Sequence, residues 1–389
     1  MITLRPGSHV WRLLLLLAIC GEYPYRSLHL LGSVRTLEEL VRRLEVVQHF
    51  RTPAGADLGA CKMLTTSGRG NRRTIRLYKS ALPLLQALHP AALSWYLAAT
   101  GGHRFSGSAS HVERNHRVAE SVAICMGAGV EMRTFLLPPL QKQAIRQVVP
   151  AYACLYPAKS VKQLDNTEMN KTIFTRITGA IFSPGYCYAV YNTRDAVMKW
   201  SGMGEFKTAR HLEELARMNA GPARADHAIL LGEHMDLALQ TLLESDKSRR
   251  MELRFDRIYP HVHFIPMTEQ GTRLLRLLTL SDWHEQVLTA VFPEGDACNN
   301  ARRDGVRRAE WGHPDPLPPG RRHRPPGAGE ASTGAQRRPI RDPVLSLAKS
   351  VCGSVYGRSG TVAGDQHAGF GRCARDWRRG EDRRRELMR

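Results

Sequence analysis

Paired cysteines and long apolar runs are both missing from this sequence. The eight cysteines are scattered singly, without a C-x-x-C pair or a tight Cys/His cluster at zinc-ligand spacing, which indicates reduced thiols rather than a zinc module. No segment approaches the roughly 20 consecutive apolar residues that a membrane-spanning helix needs. The sequence therefore predicts a cytoplasmic protein with no membrane partner, no metal and no cofactor.

A short apolar segment near the N-terminus allows two interpretations. Residues 11–20, WRLLLLLAIC, follow Arg5 and have the length of a signal-peptide core. The next residues, GEYPYRSLHLLG, continue an amphipathic pattern instead of opening a polar, small-residue mature start. We therefore expect a buried helix of a folded domain, with secretion as the alternative.

Acidic residues are too few to balance the basic ones. The chain has 56 Lys and Arg against 36 Asp and Glu, which gives a formal net charge of +20. Such an excess favours a polyanionic partner, which can be DNA, RNA or an anionic membrane surface. Charge alone does not choose among these three partners.

Composition and hydrophobic periodicity divide the chain into four segments. Residues 1–83 are predicted to form a first domain and residues 84–130 a helical linker. In residues 131–293 short apolar runs, including MRTFLLP, ITGAIF and YCYAVYN, alternate with helical patterns, which predicts a small α/β domain. Residues 294–389 are dominated by Arg, Gly, Pro and Ala without periodicity. They are either a disordered basic tail or an out-of-frame translation product. The overall fold class expected is α+β.

The first segment shows the signals of three helices followed by a hairpin. The first helix ends at Gly21, the second at Gly32, and the third opens with a capping box made by Thr36 and Glu39. After a loop, RTPAGADLGA, two strands are predicted at residues 62–66 and 73–79 around the turn SGRGNR. This order of elements is typical of a winged helix-turn-helix.

The third helix and the hairpin supply candidate DNA contacts, because these elements approach the major groove and the phosphates in a winged helix. Arginine suits both targets, since its planar fork donates two hydrogen bonds at once. The alternative is an ordinary solvated surface, and Glu38, Glu39 and Glu45 on the helix support it. No acid interrupts the hairpin. The candidates are Arg35, Arg42 and Arg43 on the helix and Arg69, Arg72, Arg73, Arg76 and Lys79 on the hairpin.

Candidates for catalysis are weaker. A Mg²⁺-dependent nuclease needs clustered acids beside a lysine, and the nearest arrangement is Asp195 with Glu205 and Lys207. Ordinary surface charges are the alternative for this set. His261 and His263 share a strand face by period two and could ligate a metal, but the sequence shows no third ligand. Tyr186, Tyr188 and Tyr191 are interpreted as sheet packing rather than as a base-stacking platform.

Over about residues 2–293 the chain resembles the replication-relaxation and mobilisation accessory proteins of bacterial conjugative and mobilisable elements. The similarity is carried by ITLRPGSHVWRLLLLLAICGEYPYRSLHLLGS, by HVERNHRVAE and by ITGAIFSPGYCYAVYNTRDAVMKW. The resemblance implies an N-terminal winged helix and a second domain similar to restriction-endonuclease-like sheets, acting beside a relaxase at a transfer origin. YAVYNTR lacks the family's acid-x-lysine element, which makes that domain a degenerate nuclease fold and favours a binding role.

The partners expected from this resemblance are double-stranded DNA, a relaxase and, as one option for the oligomeric state, a second copy of the chain. Two alternative functions remain open at this point. One is a transcriptional regulator of the element, which would use the same first domain on a different target. The other is a Mg²⁺-dependent nuclease.

Overall fold

The computed structural model describes residues 1–105, 107–132, 134–137, 140, 152–162, 164, 175–200, 202–218, 224–247 and 250–291. Residues Met1–Trp283 form one compact unit, and the second unit, His284–Arg389, is described only as far as Val291. The first unit is mixed α+β, as the sequence predicted, and its described residues form three sheets. The predicted tail at residues 294–389 lies outside the described residues.

The N-terminal part contains two three-stranded sheets. One sheet has the strand order β1 (Ile2–Thr3), β3 (Gln48–Arg51), β4 (Asp57–Cys61), and the other has the order β2 (Glu22–Pro24), β6 (Thr74–Leu77), β5 (Leu64–Ser67). The predicted hairpin around SGRGNR is confirmed as β5 and β6. The predicted loop at residues 51–60 is wrong in part, because β3 and β4 form a second hairpin there. Phe50 buries its side chain completely and anchors that hairpin.

Helix α1 (His9–Cys20) is the buried helix that the apolar segment predicted. The Ser8 hydroxyl accepts a hydrogen bond from the Trp11 amide and caps its first turn, and Gly21 ends it at φ 80°. Four leucines on this helix are buried, namely Leu13, Leu14, Leu16 and Leu17. Burying side chains of this kind contributes roughly 1.5 to 3 kcal/mol each, so α1 is central to the N-terminal core.

The second and third predicted helices exist, but both predictions need correction. The second is a 3-10 helix (Tyr25–Leu30) that is kinked at Ser27. The third, α2 (Val34–Leu44), begins two residues before Thr36, so the predicted capping box is wrong. Thr36 lies inside the first turn, and the flanking Ser33 makes no side-chain cap. The helix is stabilised by the burial of Leu37, Val41 and Leu44 and not by a side-chain cap.

The helical pattern predicted for residues 84–130 is confirmed as three helices, and the strands of residues 131–293 form a five-stranded sheet. The linker helices are α3 (Leu82–Leu88), α4 (Pro90–Thr100) and α5 (Ala109–Ala128). The sheet has the order β11 (His261–Pro266), β10 (Arg224–Gly232), β9 (Tyr186–Arg194), β8 (Gly179–Phe182), β7 (Cys154–Pro157). Strands β9, β10 and β11 are parallel, whereas β7, β8 and β9 form an antiparallel meander. Within MRTFLLP, the described residues Thr134–Leu136 form a 3-10 turn instead of the predicted strand. The preceding residue Glu131 forms an isolated bridge with Cys154 of β7.

The described residues beyond α5 also contain helices, several of which contact strands of this sheet. They are α6 (Ala158–Lys162), α7 (Gly202–Met218), α8 (Met235–Asp246), α9 (Phe255–Ile258), α10 (Glu269–Leu278) and α11 (Trp283–Val291). Every residue of β9 from Cys187 to Arg194 is buried, as expected for a strand covered on both faces. No helix in the described part of the chain is both long enough and apolar enough to cross a bilayer.

Helix α5 connects the N-terminal part with the central sheet. It contacts α1 and β2 of the N-terminal part, and it also contacts β9 and α10. Residues from its middle to its C-terminal end are buried, among them the polar side chains His116, Glu120 and Ser121. Buried polar groups of this kind need partners, so α5 is where polar residues from different elements meet.

Candidate nucleic-acid interface

A basic turn, residues 68–73 with the sequence GRGNRR, joins β5 to β6. Gly68 has φ +80°, and a Cβ at this position would lie 2.5 Å from the carbonyl oxygen of Arg72, so the turn requires glycine. Arg69 and Arg72 are exposed, and within the described chain their side chains form no hydrogen bond or ion pair. The turn therefore presents two unneutralised guanidinium groups to solvent.

Two other basic residues of the hairpin are engaged within the protein. The Arg73 guanidinium lies over the Tyr25 ring, 3.8 Å from its centre, and Arg73 is half-buried. Arg76 donates from Nε and Nη2 to Glu22 Oε2, at 3.0 and 2.7 Å, and also covers the Phe105 ring. Because Glu22 is buried, the charge of Arg76 is largely neutralised. Arg76 therefore serves the fold, whereas Lys79, just beyond β6, is exposed.

Helix α2 presents the remaining candidate contacts. Arg35, Arg42 and Arg43 are exposed, although Arg42 lies 3.3 Å from Glu39 and Arg43 Nη2 lies 3.5 Å from the Met1 carbonyl oxygen. Pairs this exposed contribute about 0 to 1 kcal/mol, so they can be exchanged for another partner. The two glutamates of this helix, Glu38 and Glu39, are therefore only a weak barrier to an anionic ligand.

The carboxylate of Glu45, at the end of α2, is held by strand β5. It accepts hydrogen bonds from the Thr66 amide and hydroxyl, at 2.9 and 2.7 Å. This contact links the end of α2 directly to strand β5, so that the helix and the hairpin are held as neighbours. It also removes one of the three acids that the sequence placed on the candidate DNA-binding face.

The catalytic candidates Asp195 and Glu205 have different partners in the described structure. Asp195 pairs with Arg26 at 2.9 Å, and the hydrogen bond from Arg26 together with its charge lowers the pKa of Asp195. Glu205 is fully buried in the first turn of α7. Lys207 follows two positions later and is half-buried. Side chains two residues apart on a helix do not face each other, so Glu205 and Lys207 cannot act as an acid-x-lysine pair.

Glu205 has a structural set of partners. Its carboxylate accepts hydrogen bonds from the Thr175 hydroxyl, from the Arg176 amide at 2.5 Å and from the Tyr191 hydroxyl at 2.8 Å. Burial raises the pKa of Glu205 in spite of these bonds. The Tyr191 and Tyr259 hydroxyls lie 3.0 Å apart beside it. Glu205 therefore ties the segment before β8 to α7 and β9 within the core. Tyr188 and Tyr191 are fully buried, as sheet packing predicted.

A second polar group, the Arg194 cluster, joins α5 to the end of β9 and consists of Ser27, Glu113, Glu120, Asn192 and Arg194. Arg194 Nη1 donates to Glu113 Oε2 at 2.7 Å, and Arg194 Nη2 lies 2.9 Å from Glu120 Oε1. Glu120 also accepts from the Ser27 hydroxyl at 2.6 Å and from Asn192 Nδ2 at 3.1 Å. Arg194 is 1 % exposed and has φ 53°, a left-handed conformation that costs an arginine free energy.

The two acids of the Arg194 cluster differ in their surroundings. Burial tends to raise the pKa of Glu113, but the charge and hydrogen bond of Arg194 outweigh it and leave that pKa lowered. For the more deeply enclosed Glu120, burial wins over the attraction of Arg194 and the pKa is raised. Nearby, burial and the charge of Arg194 lower the pKa of His116 to about 4, and His116 Nε2 lies 2.9 Å from the Thr74 hydroxyl.

The Arg194 cluster was not predicted from the sequence, although the spacing of its two glutamates could have indicated it. Glu113 and Glu120 lie seven positions apart in HVERNHRVAE, which places both on one face of a helix. Their partners come from β9 and from the 3-10 helix (Tyr25–Leu30), so sequence spacing could not connect them. Asn192 and Arg194 of the cluster lie at the end of YAVYNTR.

In comparisons with known proteins, no family model, no curated protein and no solved structure matches this chain.

Proposed function

We propose that this protein binds double-stranded DNA through a winged helix-turn-helix in its N-terminal part. Helix α1, the 3-10 helix (Tyr25–Leu30) and α2 would form its helical bundle, with α2 entering the major groove and the β5–β6 hairpin acting as the wing. The pairing of β2 with β6, which gives the sheet order β2-β6-β5, supports this assignment. The hairpin of β3 and β4 is then an insertion between α2 and the wing.

The basic turn is the observation that carries the proposal. Arg69 and Arg72 project without acidic partners from a glycine-shaped turn, so their mutual repulsion is relieved when an anion binds. Glu45 holds this turn's hairpin against α2, which carries Arg35, Arg42 and Arg43. Phosphates contacted by the turn would position the protein, while arginines of α2 would read base edges. Arg73 and Lys79 can add to the phosphate contacts, whereas Arg76 is committed to Glu22.

The biological setting of this binding rests on the resemblance described above. It points to an accessory role in mobilisation or replication of a mobile element, beside a relaxase at a transfer origin. A transcriptional regulator of the same element would use the same surface. Footprinting distinguishes the two, because the regulator protects a promoter and the accessory protein protects the transfer origin.

We propose that the central sheet is a degenerate relative of nuclease sheets and has no nuclease activity. The enclosure of Glu205 and the pairing of Asp195 with Arg26 both argue against a Mg²⁺-dependent nuclease that uses these residues. Asn192 and Arg194 at the end of β9 hold α5 in place instead of binding a metal ion. Plasmid nicking by the purified protein that is lost in Glu205→Ala and kept in a matched surface variant would contradict this part.

A salt titration of duplex binding tests the main proposal. The double variant Arg69→Ala with Arg72→Ala should weaken binding and reduce the slope of log K against log salt by about 2, because two phosphate contacts are lost. A second variant, Arg42→Ala with Arg43→Ala, should mainly reduce the preference for the protected sequence over random duplex.

The matched control removes the same charge from another exposed surface. Arg210 and Arg273 lie on α7 and α10, pair with Glu213 and Glu269, and are 64 % and 68 % exposed. Arg210→Ala with Arg273→Ala should leave the salt slope unchanged. If this control and the turn variant have the same effect, binding follows net charge alone and the assignment of the basic turn is wrong.

A further inference from the structure

Three ligand-type side chains meet at the start of strands β10 and β11. Asp226 Oδ1 lies 3.4 Å from His227 Nε2, and Asp226 Oδ2 lies 3.8 Å from His261 Nε2. The His227 and His261 rings stack with centres 4.5 Å apart. The three residues each have a ligand atom within 4.8 Å of a ligand atom of the other two. The sequence offered only His261 and His263, because Asp226 and His227 come from another strand.

A β-bulge in β10 explains how the adjacent residues Asp226 and His227 both face the same site. β10 pairs with β9 through Arg224 opposite Tyr186 and His227 opposite Tyr188, with a bulge between these two pairs. In a regular strand Asp226 and His227 would point to opposite faces. A bulge re-aims side chains, and bulges are frequent beside functional sites. Here it allows Asp226 and His227 to converge with His261, which lies opposite His227 in β11.

His263 positions the His227 ring. His227 Nδ1 and His263 Nε2 lie 2.9 Å apart, and the two rings are parallel within 1°. A histidine that ligates a metal through Nε2 almost always donates its Nδ1 proton to a neighbouring acceptor, which fixes its tautomer and direction. His263 Nε2 is in position to accept that proton. His227 Nε2 would then carry a lone pair directed towards Asp226.

The carboxylate of Asp226 supports the same arrangement. Its Oδ1 atom is shielded from solvent and accepts no hydrogen bond from the described residues, although it lies 3.4 Å from His227 Nε2. A buried carboxylate oxygen facing a nitrogen lone pair is costly unless a cation lies between them. Ligand atoms around a tetrahedral Zn²⁺ are about 3.3 to 3.5 Å apart, given bonds of about 2.0 to 2.2 Å. His227 and Asp226 already have this spacing.

We propose that Asp226, His227 and His261 bind a divalent transition-metal ion of the Zn²⁺ type, with His263 orienting His227. Two imidazoles and one carboxylate suit such an ion, whereas Mg²⁺ prefers an all-oxygen set. His261 and Asp226 are 47 % and 36 % exposed, so the fourth position faces solvent and takes water. Three protein ligands and one open position are typical of zinc sites that act on a bound molecule.

This site is separate from Arg194, which lies at the other end of β9. His227 lies opposite Tyr188, and Tyr188 is six residues from Arg194 along β9, a distance of about 20 Å in a strand. The aromatic rings of Tyr186 and Trp283 surround the histidines, with Tyr186 4.9 Å from His227 and Trp283 5.9 Å from His263. These rings pack beside His227 and His263, whereas the exposed side of His261 and Asp226 stays open to water.

A titration of the metal-free full chain with Co²⁺ tests the proposal, because tetrahedral Co²⁺ has an intense visible absorption. The wild type should bind one Co²⁺ with that spectrum, and stoichiometric Zn²⁺ should displace it and raise the Tm. His261→Ala and Asp226→Ala should lose the spectrum, and His263→Gln should bind about 10- to 100-fold more weakly. Excess Mg²⁺ should leave the spectrum unchanged.

The control is His234→Ala, which removes one exposed imidazole near the N-terminus of α8. It is needed because the chain has 16 histidines and eight cysteines that can bind metal weakly. His234→Ala should bind like the wild type. The proposal is overturned if His261→Ala keeps the wild-type spectrum and stoichiometry, if the wild type shows no such spectrum, or if Mg²⁺ displaces Co²⁺. Since His261 is half exposed, its replacement should leave the fold intact, which circular dichroism checks.

Discussion

The arginines of the basic turn and the arginine of the Arg194 cluster have opposite surroundings. Arg69 and Arg72 are exposed and carry their charge into solvent. Arg194 is buried between Glu113 and Glu120 in a left-handed backbone conformation. An exposed arginine contributes little to stability and is free to bind an anion. A buried arginine is bound to its partners, and losing it leaves their charges unpaired.

The basic residues of this sequence therefore have at least two roles, anion binding and support of the fold. Arg26, Arg76 and Arg194 each pair with an acid and connect elements that are distant in sequence. These arginines do not contribute to an anion-binding surface, although composition counts them with the rest. Arg69 and Arg72 differ from these arginines because their side chains have no hydrogen-bond or ion-pair partner in the described chain.

Replacing Arg194 should have the largest effect and would test the structural half of the comparison. Arg194→Ala leaves the buried carboxylate of Glu120 without its counter-charge, so we expect a loss of about 3 to 5 kcal/mol in the free energy of unfolding. Urea denaturation measures it. The control Arg210→Ala, on an exposed pair, should change stability by less than about 0.5 kcal/mol. Equal effects in the two variants would mean that Arg194 has no special structural role.

Acidification should have the next largest effect, through His116 beside the Arg194 cluster. The pKa of His116 is about 4 in the folded protein, because of burial and the charge of Arg194, against 6.5 in the unfolded chain. Between these values the unfolded chain binds the proton and the folded one does not. Stability is therefore complete above about pH 6.5 and falls as the pH drops towards 4, by up to about 3 kcal/mol.

The variant His116→Gln isolates this contribution. Glutamine can still bond to Thr74 but does not titrate, so its stability should fall less between pH 6.5 and 4. The raised pKa values of Glu120 and Glu205 act in the opposite direction, because the folded state takes up their protons first. They are common to both proteins and cancel in the difference. Parallel pH profiles for the two proteins would refute a role for His116.

The smallest effect on stability is expected at the basic turn, and it sharpens the other half of the comparison. Arg69→Ala with Arg72→Ala should change the free energy of unfolding by less than about 0.5 kcal/mol, because both side chains are exposed and unpaired in the described chain. The same variant should lose DNA affinity. A large destabilisation would show that these arginines support the fold, and the binding measurement would then need another variant.

Local patterns in the sequence predicted most of the elements. The apolar run of α1 with its stop at Gly21, the glycine-containing turn between β5 and β6, and the apolar strands β8 and β9 all appear as expected. Errors arose where long-range packing overrides local signals. Thr36 has a good capping sequence but lies inside α2, and residues 51–60 look like a loop but include part of a hairpin anchored by Phe50.

The candidate sites divide in the same way. Exposed arginines of a local turn, Arg69 and Arg72, can be found from sequence because their neighbours in space are also neighbours in the chain. Neither the Arg194 cluster nor the two ligands that join His261, Asp226 and His227, could be found, because these residues come from strands and helices separated by tens of residues. The pairing of Glu205 with Lys207 was suggested by spacing alone, and a helix places these side chains on different sides.

The sequence by itself determined the mixed α+β class, the helix–hairpin order of the N-terminal part and the acid-free basic turn. These follow from periodicity, turn residues and charge, which act over a few residues. Only the tertiary structure decided which charges remain available. It enclosed Glu205, paired Arg76 with Glu22 and Arg194 with Glu120, and brought Asp226 and His227 to His261. The physical reason is that burial and ion pairing depend on neighbours in space, which local sequence does not specify.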